Sequence, residues 1–422
     1  MRYFLQKNGA LHCEDVALSD IAEAVGTPVY VYSAATLARH YDVFAKGFDG
    51  TDALIAYSVK ANSNLAVLTL LAKRGAGADV VSGGELTRAL RAGISPNKIV
   101  FSGVGKTGDE MRLALSAGIY QFNVESAAEL EALSNIAAQM KVNASIAFRV
   151  NPDVAAGGHE KISTGKKENK FGIAWDDARV LYARAAKLPG IRVQGVDVHI
   201  GSQITQLEPY ERTIEKIGGL IADLRQDGHA IETFDLGGGL GIPYGDGTAD
   251  PPLPSAYAKM VRRATDALDV RLIFEPGRVI AGNAGALLSR VIYTKPGETR
   301  NFLIVDAAMN DLIRPALYGA YHGVEAVSPK PGDTVSYDIV GPVCESGDTF
   351  AVQRNMPQMS AGDLVVFHSA GAYGAVQANQ YNTRPLVPEV LVSGGEFAII
   401  RKRPDYEQIL STETVPDFIK NR

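Results

Sequence analysis

From residue 54 the chain settles into an alternation that few folds can accommodate. Apolar runs at 54–60, 77–81, 98–102, 120–124, 144–150, 194–199, 231–236 and 271–275 are separated by stretches of helical periodicity, among them 64–74, 84–92, 126–139, 176–188 and 207–226. Most of the runs are near-continuously apolar, as in parallel strands covered on both faces. Eight strand–helix units over about 220 residues suit a closed (β/α)8 TIM-like barrel better than an open doubly wound sheet, which stands as the structural alternative. The chain's 422 residues leave room for a second domain.

Outside the barrel region the rhythm changes. Runs at 286–293, 301–305, 334–340, 363–367 and 389–391 alternate with Pro/Gly/Asp turns and read as an all-β domain. Residues 1–32 read as short strands, with a hairpin turn at Asn8-Gly9 and extended chain over 28–32. They are expected to join the β domain. Ser33 is the natural N-cap of a helix running to about residue 46. The expected division is therefore a barrel over 34–279 and a β domain built from 1–33 and 280–422.

Several classes of function are disfavoured. A net charge of −5 without a basic, aromatic-laced patch argues against nucleic acid. No apolar run is long enough to span a membrane, and the first residues turn polar too early for a secretory leader. Cys13 and Cys344 are too few for a disulfide framework, and no His/Cys/Asp/Glu spacing resembles a metal site. A cytoplasmic, reduced location is the default.

Catalytic residues of such a barrel gather where its strands end. Lys60 closes the first run and Asp79 lies in the second. His199 closes the sixth, the seventh leads into Gly237-Gly238-Gly239-Leu240-Gly241, and the eighth ends in Glu275-Pro276-Gly277-Arg278. A lysine at such a place is most simply one whose ammonium reaches solvent along its aliphatic stem. Burial would instead lower its pKa and free a nucleophilic amine. Each of the other features also has an ordinary reading: an ion pair for Glu275, a core histidine for His199, a flexible turn for the glycines. Taken together they describe one arrangement. A lysine amine forms a Schiff base, glycine N–H groups cradle a phosphate, and an acid faces a protonated ring nitrogen, as pyridoxal 5′-phosphate requires.

These residues fall in motifs that resemble the fold-type III pyridoxal-phosphate decarboxylases, and within them the diaminopimelate decarboxylases. The motifs are Tyr-Ser-Val-Lys-Ala-Asn (57–62), His-Ile-Gly-Ser-Gln (199–203), Gly-Gly-Gly-Leu-Gly (237–241), Glu-Pro-Gly-Arg (275–278), Arg-Pro-Ala-Leu-Tyr (314–318), Cys-Glu-Ser-Gly-Asp (344–348) and Gly-Ala-Tyr-Gly (371–374). Seven in order along the whole chain make the resemblance specific.

The resemblance implies that Lys60 forms the internal aldimine, His199 stacks on the pyridine ring and Glu275 pairs with its nitrogen. Ser202, Gly238, Gly239 and the Gly277–Arg278 backbone would hold the phosphate, with Asp79 counted among the cofactor-binding residues. Arg278, Arg314 and Tyr318 would hold the substrate carboxylate and distal end, and Glu345 the distal ammonium. Tyr373 would touch cofactor and substrate, and Cys344 would be the proton donor. In the family Cys344 and Glu345 come from the partner subunit of a head-to-tail homodimer. The long connection 151–172, with Lys161-Ile-Ser-Thr-Gly-Lys and Lys170-Phe-Gly, resembles a substrate-covering segment. On its residues alone Cys344 is more usually a small buried hydrophobe, and its acidic neighbours Glu345 and Asp348 suit it to be an acid more than a nucleophile.

The implied reaction is decarboxylation of meso-diaminopimelate to L-lysine, the last step of lysine biosynthesis. Alternatives of the same fold are a decarboxylase of ornithine, arginine or a carboxy-polyamine, for which Arg314 would have little use, and an amino-acid racemase. A non-catalytic pyridoxal-phosphate-binding protein is a further alternative, which Cys344 and the arginines argue against.

Overall fold

A computed structural model describes residues 4–155 and 170–420. The chain divides into two compact units, Ala34–Asn283, and Met1–Ser33 with Ala284–Arg422.

The first unit holds a closed barrel of eight parallel strands: Ala53–Ser58, Gly77–Val80, Ile99–Phe101, Gln121–Val124, Ala144–Arg149, Ile191–Asp197, Thr233–Asp235 and Arg271–Phe274. Each coincides with one of the eight apolar runs. Neighbours in sequence are neighbours in the barrel, and the last strand pairs with the first through Leu272 beside Ala53. Several helices start where the sequence supplies side-chain caps. Ser82, Thr107 and Ser126 accept hydrogen bonds from the backbone N–H groups of Glu85, Glu110 and Glu129, and Thr107 and Glu110 complete a capping box. These caps lie just past the C-terminal ends of the second, third and fourth strands, so they also fix the chain that frames the barrel mouth.

Residues two apart on a strand share a face. Low in the barrel that face is apolar, and Leu54, Ala56, Val100 and Ile273 form a buried cluster. One or two positions further along the strands it turns polar, with Ser58, Asp79, Ser102, Asn123, Arg149, Asp197, Asp235 and Glu275 all buried. The interior is crowded: a Cβ on Gly195 would lie 1.8 Å from Thr233 Oγ1.

The second unit carries a nine-stranded sheet. Its main path runs Thr349–Pro357, Thr334–Val340, Asn301–Val305, Gly285–Lys295, Val29–Ser33, Glu389–Ser393 and Glu396–Arg401. Leu364–Phe367 pairs with both Gly285–Lys295 and Val324–Ala326. Phe4–Lys7, Ala10–Cys13 and Val16–Ala17 form a small sheet of their own. Leu18–Val25, expected to be extended, is a helix. Its Leu18, Ile21 and Ala22 pack into the same core as Leu11, Cys13, Val29 and Val390, so the apolar residues here follow a helical face rather than strand alternation. Burial pushes the Cys13 thiol pKa up, and the residue is a small core hydrophobe. No helix among the described residues is long and apolar enough to cross a membrane.

Candidate active site

The first strand stops at Ser58, and Lys60 lies in the helical turn Val59–Ala61 just beyond it rather than in the strand. Its Nζ is 2.8 Å from Asp79 Oδ2. The register puts Ser58 beside Asp79, and the Ser58 hydroxyl donates to the same Oδ2 at 2.8 Å. Asp79 is wholly buried, whereas 36% of the Lys60 side chain is exposed. The amine is thus anchored on a buried anion, at the end of a side chain that is only partly buried. The other oxygen, Asp79 Oδ1, is buried without a hydrogen-bond partner among the described residues. Glu85 stands close by, with Oε2 accepting the Val81 N–H at 2.8 Å. Burial, reinforced by Asp79, pushes its pKa up to about 7.

His199 lies two residues past the sixth strand, and its Nδ1 accepts the Gly238 N–H at 3.2 Å. An acceptor at Nδ1 leaves the ring proton on Nε2. Burial first, then the Arg149 and Lys60 cations, push its pKa well below the usual value, so the ring is neutral. The glycine run after the seventh strand packs against this histidine. A Cβ on Gly238 would lie 2.3 Å from the Glu275 carbonyl, and one on Gly239, at φ +103°, would lie 2.5 Å from the Gly201 carbonyl. Only glycine fits there, and the loop can bring its backbone N–H groups close to an anion. Gln203 pins the loop by bonding both the N–H and the carbonyl of Ile242. Arg278 reaches Ser202 Oγ at 2.9 Å and also bonds the Tyr244 hydroxyl, and its Gly277 neighbour precedes a short helix, Arg278–Ala281.

Glu275 follows the eighth strand. Its Oε1 accepts from Ser102 Oγ at 3.1 Å and from Asn123 Nδ2 at 3.3 Å. Asp197, Asp235 and Glu275 bring carboxylate oxygens within 4.8 Å of one another. Burial foremost, then mutual repulsion, raises the pKa of all three. Spacing in the sequence points to no acidic cluster. These three lie 38 and 40 positions apart, on the sixth and seventh strands and just past the eighth, and closure of the barrel brings them together.

The barrel mouth also holds two buried ion pairs. Arg149 contacts Glu125 at 3.3 Å, and Glu125 accepts the N–H groups of Gly103 and Gly172. Arg149 lies over the Phe171 ring at 4.9 Å, and Lys170 lies 5.2 Å from the same ring. This ties down the described end of the long connection. Residues 156–169, with Lys161 and the Lys161–Lys166 motif, lie outside the described residues. Lys106 pairs with Glu129 at 2.7 Å.

Five of the expected residues belong to the second unit. Arg314 opens a short helix, Arg314–Tyr318, and is buried, while Tyr318 is half-buried. Arg314 Nη1 is 2.8 Å from His322 Nε2, and His322 Nδ1 is 2.8 Å from the His368 carbonyl. A guanidinium can only donate and a carbonyl can only accept, so His322 is the neutral Nδ1–H tautomer. Eight residues past Arg314 in a turn-rich stretch, it offered no pattern by which to be found. Cys344 and Glu345 are exposed, and the Cys344 N–H donates to Asn382 Oδ1 at 3.2 Å. The Asp348 oxygens accept the Met309 and Val343 N–H groups, both at 2.7 Å. Tyr373 adopts φ +57°, a strained conformation for an aromatic residue and one that recurs at functional sites.

Residues 34–282 match the family model for the pyridoxal binding domain of pyridoxal-dependent decarboxylases. The chain is 52% identical over 419 residues to the diaminopimelate decarboxylase of Zymomonas mobilis, covering 99% of both proteins. To that of Pseudomonas aeruginosa it is 51% identical over 415 residues, covering 98% of this chain and 99% of the relative. Among solved structures, diaminopimelate decarboxylase from M. jannaschii in co-complex with L-lysine superposes with a TM-score of 0.94 at 36% identity, covering 98% of each chain. The Helicobacter pylori enzyme complexed with L-lysine gives 0.90 at 39% identity, covering 94% of this chain and 98% of that one.

Proposed function

Because this chain belongs to the pyridoxal-dependent decarboxylase family, we propose that it removes CO2 from the D-configured centre of meso-2,6-diaminopimelate to give L-lysine, with pyridoxal 5′-phosphate as cofactor. The observation that carries the chemistry is Lys60, an amine held on a buried carboxylate just past the first barrel strand, on a side chain that is still 36% exposed. The glycine loop, which a single Cβ would close, fits a bound phosphate. Bound there, the cofactor would supply an electron sink for the carbanion left by loss of CO2.

The chain's own residues would act as follows. Lys60 would carry the cofactor's aldehyde, and Asp79 would keep the amine in place. Neutral His199 would lie flat on the ring. Ser202, Gly238, Gly239 and the Gly277–Arg278 backbone would hold the phosphate. Glu275, whose burial makes it an unusually basic carboxylate, would face the ring nitrogen and keep a proton there. Arg278, Arg314 and Tyr318 would hold the carboxylate that is kept, bidentate guanidinium bonding adding geometry as well as energy. Glu345 would hold the distal ammonium, Tyr373 would touch cofactor and substrate, and Cys344 would deliver a proton to the α-carbon. Cys344 and Glu345 are assigned to a site shared with a second copy of the chain in a head-to-tail homodimer. The barrel of 34–279 is thus the cofactor-binding body, and 1–33 with 280–422 the domain supplying the acid. The enzyme is assigned to the cytoplasm.

The test is CO2 release from meso-diaminopimelate, ornithine and arginine supplied separately to the purified protein. Turnover confined to the first is expected, and release from ornithine or arginine alone would overturn the substrate. Lys60→Ala is expected to lose the visible absorbance of the bound cofactor, and an unchanged spectrum would remove Lys60 from its role. Lys60→Ala and Cys344→Ala, each inactive, are expected to regain partial activity when their subunits are mixed. No recovery despite demonstrated exchange would refute the shared site.

A further inference from the structure

The interior of a (β/α)8 barrel is ordinarily filled by branched apolar side chains. Here the upper layer is polar, an arrangement that is costly unless every group is satisfied and that functional sites tend to require. At its centre stands Asn123, fully buried on the fourth strand. Its Nδ2 lies 3.1 Å from Ser102 Oγ, 3.1 Å from Asp235 Oδ2 and 3.3 Å from Glu275 Oε1, its two hydrogens shared among these three acceptors. Its Oδ1 accepts from Gln121 Nε2 at 2.8 Å, and Gln121 Oε1 accepts the Thr233 hydroxyl at 2.8 Å. The direction of this chain is fixed at its upper end. Two carboxylates need a donor, and a reversed Asn123 amide would set its oxygen against both.

The amide therefore separates and bridges two buried acids. Among the described residues the donors that reach the Glu275 side chain, Ser102 and Asn123, both reach Oε1. Asp197 adds a third carboxyl nearby, and its Oδ1 is buried without a hydrogen-bond partner among the described residues. Without Asn123, Ser102 would be the remaining side-chain donor to Glu275 among the described residues, and repulsion between Asp235 and Glu275, no longer bridged by the amide, would turn the Glu275 side chain.

We propose that Asn123 is the positioning residue of Glu275: with Ser102 it pins one carboxylate oxygen, so that the other is held for the ring nitrogen of the cofactor. This rests on the role given to Glu275 above. Asn123 touches neither substrate nor cofactor in this assignment and acts through Glu275 alone.

The test is a double-mutant cycle on the pyridoxal-phosphate-loaded enzyme, using Asn123→Ala, Glu275→Gln and the pair, read by steady-state kinetics and by the absorbance spectrum of the bound cofactor. Asn123→Ala is expected to lower kcat about tenfold, change KM less than about twofold, and shift the cofactor spectrum in the same direction as Glu275→Gln. In the Glu275→Gln background it is expected to change kcat by less than about twofold. An equal loss in both backgrounds, or full kcat with an unaltered spectrum, would overturn the proposal. Should Asn123→Ala fail to fold, Ser102→Ala removes the other donor to the same oxygen. Its loss of kcat is expected to vanish likewise beside Glu275→Gln, and additivity would count against the shared mechanism. A Glu275→Gln enzyme with unchanged kcat and spectrum would instead refute the role of Glu275, and the role of Asn123 with it.

Discussion

Replacing Lys106 by Met should destabilise the barrel by about 3–4 kcal/mol, the range for removing one partner of a buried ion pair. The side chains of Lys106 and Glu129 are 1% and 7% exposed and meet at 2.7 Å. The ammonium also donates to the carbonyls of Gly103 and Asn123, both at 2.8 Å. Methionine matches the volume of the stem, so little cavity cost arises and the loss is electrostatic. Glu129 keeps one donor, the Glu125 N–H at 2.9 Å, and can escape part of the cost by taking up a proton. Burial already raises its pKa despite the lysine, and without the lysine the pKa must rise further. A carboxyl whose folded pKa lies above its unfolded value loses stability as pH climbs between the two. The defect should therefore be larger at pH 8 than at pH 5. Urea unfolding followed by circular dichroism would read it as a drop in midpoint of about 1–2 M, for an m-value of about 2–3 kcal/mol/M. Lys106→Met with Glu129→Met removes both charges and should restore most of the loss. A single-variant defect below about 1 kcal/mol, or no recovery in the double variant, would refute the reasoning.

Three other outcomes are expected. Gly239→Ala, whose new Cβ would lie 2.5 Å from the Gly201 carbonyl at φ +103°, should weaken pyridoxal-phosphate binding by about tenfold or more; equilibrium titration with the cofactor checks this, and unchanged affinity would mean that the loop is not the cradle. His322→Ala should raise KM for diaminopimelate about tenfold with kcat within about twofold, and should add nothing to Arg314→Ala, because it acts by orienting that guanidinium. Glu85→Gln should be indistinguishable from the parent in melting temperature near pH 4.5 but relatively more stable at pH 8. The parent's Glu85, with its pKa pushed up to about 7, is favoured by the fold only when neutral, and ionising it costs stability as pH rises through that window; a gap that does not change with pH would show the carboxyl to be unperturbed.

Most of what was legible in the chain was local. The eight barrel strands and the helices at 64–74, 84–92, 126–139 and 207–226 stand within a few residues of where periodicity puts them. Short or polar elements were not legible. The strand Thr349–Pro357 has a polar middle, Gln353-Arg354-Asn355, with Gln353 and Asn355 facing solvent, and looks like a turn-rich loop until its pairing with Thr334–Val340 is seen. Lys60, Asp79, His199 and Glu275 could be singled out because each is a polar residue in or at the end of an apolar run. Asn123, Gln121 and Thr233 could not, because one uncharged polar residue in a strand has no distinctive pattern.

The order of apolar and polar residues along the chain determined that there would be eight strand–helix units and which ends of the strands would carry chemistry, since side-chain alternation and capping act over a few residues. Only the closed barrel decided that Asn123 would stand between Asp235 and Glu275, residues 112 and 152 positions away. Only the assembled sheet decided that Val29–Ser33 would lie between Gly285–Lys295 and Glu389–Ser393, strands from the far end of the chain. Such partners are chosen by register and packing between distant segments, and no short stretch of sequence records which segment will lie beside it.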